Sequence, residues 1–80
     1  MRWRSNWMKV YFENSCGNIR LLSDVNNKEG AMNVIRNFLD DHNFKSYYQR
    51  YWTVPVDGVL MTCVDVGSHT EFFYIEPPIN

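Results

Sequence analysis

One stretch of this chain repeats its apolar residues at helical spacing, and the rest must be arranged around it. Ala31, Val34, Ile35, Phe38 and Leu39 fall at i, i+3, i+4, i+7 and i+8, which puts a single apolar stripe on a helix. Asn26 or Asn27 can accept the first free amides, and Asn26 followed by Glu29 resembles a capping box with Asn in the Ser/Thr place. His42 and Asn43 mark the stop, because Asn tolerates the left-handed conformation that ends many helices. The spacing predicts a helix near 27–42, with Lys28, Arg36, Asp40 and Asp41 on its exposed side. A lone amphipathic helix cannot bury its stripe unaided, so the flanking segments must supply the surface it lies on.

Those segments alternate with period two. Met8, Val10 and Phe12 share one face of a strand, and Lys9, Tyr11 and Glu13 share the other. Residues 14–18 favour a turn, with Gly17 free to take positive φ, and 19–25 follow with Ile19, Leu21 and Val25 as the expected inward set. Strands one and two should form a hairpin. Beyond the helix, Tyr48, Arg50, Trp52 and Val54 alternate with Tyr47, Gln49, Tyr51 and Thr53. Pro55 is expected to end that strand and Asp57-Gly58 to reverse the chain. Two further strands are expected at 59–66 and 71–76, with Pro77 and Pro78 stopping the last. The order is ββαβββ, an α+β fold in which one helix packs on one face of an antiparallel sheet. Eighty residues leave no room for a second core, so 8–80 read as a single domain and 1–7 as an N-terminal extension.

A formal net charge of -1 argues against a polycationic nucleic-acid binder and equally against an acidic nucleic-acid mimic. Cys16 and Cys63 are far apart and unaccompanied by paired ligand spacing, which indicates neither a disulfide framework nor a zinc site. The N-terminus lacks the apolar core of a signal peptide, and no run approaches the roughly 18 apolar residues that cross a bilayer. The expectation is a soluble cytoplasmic protein with reduced thiols and no membrane partner.

Cys63, Asp65, Ser68, His69 and Glu71 crowd into nine positions and invite a catalytic reading. A triad of Ser68, His69 and Asp65 fails physically, because neighbouring residues diverge while the histidine must lie between nucleophile and carboxylate. A turn built on Gly67 with His69 at its tip accounts for the same residues. Zinc held by Cys16, His42, Cys63 and His69 would need four separate elements to converge, without the close ligand pairs of structural sites. Phosphate-cradling glycine loops and nucleophile motifs are also missing, so the chain reads as a non-enzyme without metal or cofactor.

Aromatic residues make up 16% of the chain, and one helix covers only one sheet face. Tyr11, Tyr47 or Tyr48, Trp52, Phe72 and Tyr74 are expected to divide between both faces, so that some aromatic surface remains on the uncovered side. Tyr, Trp and Arg dominate protein–protein hot spots, which makes Tyr48, Arg50 and Trp52, with His69 and Glu71 in the neighbouring turn, the expected partner-binding residues. Aromatics interleaved with cations also suit single-stranded nucleic acid, the alternative reading, with Arg2, Arg4 and Lys45 meeting phosphates. Unpaired sheet edges would allow a homodimer.

The segments "MKVYFEN", "FLDDHNFKSYY" and "DVGSHTEFFYIE" resemble a group of small uncharacterised proteins encoded by phages and prophages of Gram-positive bacteria. The likeness covers most of 8–76 and leaves 1–7 outside it. Such single-domain phage proteins without catalytic motifs often bind and block a host protein. The resemblance thus implies an inhibitor of a bacterial antiphage defence, such as a CRISPR nuclease, with a host protein as partner.

Overall fold

The computed structural model describes residues 7–42, 49–67 and 70–77. Its elements are β1 (Met8–Glu13), β2 (Ile19–Val25), α1 (Lys28–Asp41), β3 (Arg50–Val56), β4 (Val59–Asp65) and β5 (Phe72–Glu76). The five strands form one sheet in the order β2-β1-β5-β4-β3, every neighbouring pair antiparallel. The α+β architecture expected from the alternation and the single helix is the one observed. The first and last of these strands, β1 and β5, lie side by side inside the sheet, and β2 and β3 are the edges.

The helix begins where a side chain can take up its free amides. Asn27, in extended conformation, accepts a hydrogen bond from the Gly30 amide at 2.8 Å through its Oδ1. Ala31, Ile35 and Leu39 are buried, with Val34 and Phe38 packed at the margin, as the stripe requires. They rest on Val10, Phe12, Phe73, Ile75 and Val64 from one face of the sheet. Phe12, Phe38 and Phe73 form a ring cluster with centroids 4.5 to 5.4 Å apart, within the range where tilted and edge-on pairs are favourable. Gly30 lets α1 approach β2 closely, since a Cβ there would sit 3.2 Å from that of Val25. Among the described residues no helix is long and apolar enough to cross a membrane.

Two expectations change. Ile19 and Leu21 do not point inward with Val25; both are about half exposed, at 52% and 49%. The cause is a β-bulge: Val10 pairs with Ser23 but Tyr11 with Leu21, so Leu22 is an extra residue. One inserted residue inverts the alternation and sends Leu21 and Ile19 to the opposite face from Val25. Pro55 does not end β3 but lies within it, opposite Leu60. An edge strand tolerates this, because one side of its backbone has no ladder to interrupt. The reversal at Asp57-Gly58 occurs as expected, with φ of 51° and 82° between the closing pair Val56 and Val59.

Candidate functional site

The face of the sheet away from α1 carries exposed Ile19, Leu21, Trp52 and Val59. Strand register aligns Leu21, Tyr11, Tyr74, Cys63 and Trp52 across all five strands in one row. A parallel row runs Ile19, Glu13, Phe72, Asp65 and Arg50. Tyr11, Trp52, Phe72 and Tyr74 therefore share this face instead of being divided between two.

Polar side chains on it are tied across strands. The Tyr11 hydroxyl donates to Glu76 at 3.1 Å, and the Tyr74 hydroxyl donates to Glu13 at 2.6 Å. Lys9 pairs with Asp24 at 3.2 Å. Arg50 Nη2 donates to Asp65 Oδ2 at 2.7 Å, while Asp65 Oδ1 accepts the Gly67 amide at 2.9 Å. Asp65 is only 2% exposed, and a buried carboxylate is tolerable when its oxygens are hydrogen-bonded in this way. Gly67, at φ 93°, supplies the backbone turn that brings its amide back to that oxygen.

Beside the row a cleft of about 300 Å³ opens, with Tyr11, Val59, Met61 and Tyr74 as its floor and Asp57 and Glu76 among its polar lining. The electrostatics of the face are recorded in its titratable groups. Burial and then the Glu76 carboxylate raise the Tyr11 phenol above its ordinary range. Burial, followed by the hydrogen bond and charge of Glu13, raises the Tyr74 phenol further. Burial, with Asp65 and Glu13 adding to it, pushes the Cys63 thiol up to about 11. That thiol is protonated at neutral pH and is no nucleophile. Among the described residues, no group of His, Cys, Asp and Glu is placed to hold a metal ion.

The expected partner-binding residues separate. Arg50 and Trp52 stand on the face away from α1, two positions apart on edge strand β3, with Trp52 41% exposed. Arg50 also has an internal task in bonding Asp65. Glu71 lies elsewhere, lining a second hollow with Phe12, Asn14, Arg20, Phe38 and His42 beyond the helix C-terminus. There His42 stacks on Phe38 at 4.0 Å and its Nδ1 bonds the Phe38 carbonyl at 2.9 Å. Tyr48 and His69 fall outside the described residues, as do Arg2, Arg4 and Lys45. Sequence reasoning missed the crossed Tyr–Glu pairs, which depend on β1 lying against β5. The chain matches no protein-family model, no curated protein and no solved structure.

Proposed function

We propose that this is a non-enzymatic, phage-encoded protein-binding module that inhibits a bacterial antiphage defence protein such as a CRISPR nuclease. The observation that carries the binding part is the sheet face away from α1, on which Ile19, Leu21 and Trp52 are exposed and an apolar-floored cleft opens. Large apolar side chains gathered on one face are what a protein interface buries, and a tryptophan among them is a characteristic anchor. The phage and anti-defence setting comes from the resemblance of "MKVYFEN" and "DVGSHTEFFYIE" to small phage proteins. Single-stranded nucleic acid is less well served. The described cations of this face, Lys9 and Arg50, are bonded to Asp24 and Asp65, and Glu13 and Glu76 add negative charge that repels phosphate.

The test is retention of host proteins on the tagged chain from bacterial lysate, with and without nuclease, beside the variant Leu21→Ser/Trp52→Ser. One protein kept after nuclease and lost with the variant is the expected result. A DNA-cleavage assay with the retained protein then shows whether it is a CRISPR nuclease and whether the module inhibits it. Recovery that vanishes with nuclease would replace this reading with the nucleic-acid one.

A further inference from the structure

The described residues on the sheet face away from α1 carry an unbalanced charge. Among them the cations are Lys9 and Arg50, both already in ion pairs, against Glu13, Asp24, Asp57, Asp65 and Glu76. The imbalance is local, since the whole chain carries a formal charge of only -1. It is also concentrated at the cleft. Glu76 and Asp57 border it, and Glu13 sits behind the Tyr74 hydroxyl. A phenol donating one hydrogen bond leaves a carboxylate its charge and further acceptor positions. The floor between these groups is apolar, formed by Val59, Met61 and the rings of Tyr11 and Tyr74.

We propose that the cleft receives a cationic, amphipathic protein segment, whose apolar side chain enters between Tyr11, Tyr74, Met61 and Val59 while an adjacent arginine or lysine meets Glu76 and Asp57. This rests on the protein-binding reading and names the chemistry of the partner. Charge complementarity selects the occupant. A planar guanidinium can bond a carboxylate in bidentate fashion and stack on a tyrosine ring, and the cleft offers both. An anionic or phosphate-bearing ligand on the same floor would be repelled by Glu76 and Asp57. The raised phenols of Tyr11 and Tyr74 are consistent with that negative surrounding, since Glu76 and Glu13 contribute to each shift.

The probe is an acetylated peptide of sequence GRLWRGS, titrated into the isotope-labelled full chain and followed by amide chemical shifts. Shifts centred on Tyr11, Met61, Tyr74 and Glu76 are expected. Binding should weaken about fivefold when both arginines of the peptide are glutamine, the size expected of exposed ion pairs worth a few tenths of a kcal/mol to 1 kcal/mol each. The variant Asp57→Asn/Glu76→Gln should weaken it equally. Glutamine keeps an acceptor for the Tyr11 hydroxyl and asparagine tolerates the positive φ at 57, so the fold is preserved and its spectrum verifies this. Equal binding of the glutamine peptide, shifts centred elsewhere, or no shift at millimolar peptide would overturn the proposal. Lysate retention separates it from the broader reading. A host protein lost with Leu21→Ser/Trp52→Ser but undiminished by the charge variant refutes the cationic partner alone. No protein kept by the unaltered chain after nuclease removes the binding reading, and the proposal with it.

Discussion

Asp65 sits between Val64 and Val66 in the sequence, and the only charged residue of "CVDV" becomes one of the most enclosed groups in the protein. Its burial depends on Arg50 across the β3–β4 pair and on the Gly67 amide. Replacing Arg50 by alanine removes a charge-assisted donor from a desolvated carboxylate and should cost about 1–3 kcal/mol, read as a lower urea midpoint. An unchanged midpoint would show that the pair has no weight. The surrounding pattern gave a hint of this, because a carboxylate within an otherwise apolar strand needs a partner. Which partner was illegible, as it depends on the register of β3 against β4. At Cys63 the consequence is kinetic. Buried at 4% exposure and pushed up to about 11, its thiol should resist iodoacetamide at mildly alkaline pH while exposed Cys16 alkylates. Mass spectrometry of the native chain should show one rapid adduct, and two equally rapid adducts would contradict the burial of Cys63.

At the scale of elements, the buried stripe of α1 was legible and the facing of β2 was not, for opposite reasons. The stripe from Ala31 to Leu39 has one helical solution, and only its cap was ambiguous between Asn26 and Asn27. The structure chooses Asn27. Changing Asn27 to alanine should lower stability by about 1 kcal/mol, and Ile35→Ala, which empties a fully buried site, by about 2–5 kcal/mol. Thermal or urea unfolding followed by circular dichroism measures both, with the larger loss expected for Ile35→Ala. In β2, Leu21 and Leu22 are adjacent, so either can continue an apolar alternation and local pattern cannot tell which is extra. The bulge that decides it is set by pairing with β1, and it places Leu21 on the face away from α1. Likewise Pro55 looked like a strand terminator because the sequence does not say which strands will be edges.

For the molecule as a whole, the central pairing of β1 with β5 joins the two halves of the face away from α1 and was invisible from local spacing. It sets Tyr11 against Tyr74 and crosses their hydroxyls to Glu76 and Glu13. It also gives the fold an alkaline limit. Cys63, Tyr11 and Tyr74 all hold their protons more tightly folded than unfolded, so their contribution to stability is whole below the unfolded values of 9.0 and 10.0. It is lost as pH rises through the folded values, about 11 for the thiol. Urea midpoints should hold up to about pH 9 and then fall steadily, and Cys63→Ala should make the onset of that fall less steep. A midpoint independent of pH through this window would contradict the shifts. The strand order carries one more consequence, for synthesis. Each hairpin, β1 with β2 and β3 with β4, is complete as soon as its own residues have emerged from the ribosome, whereas the strand that joins them is the last to be made. Until Phe72–Glu76 appears, the inner strands β1 and β4 lack the neighbour they pair with in the finished sheet, and any extended peptide in the vicinity is a competitor for the seam.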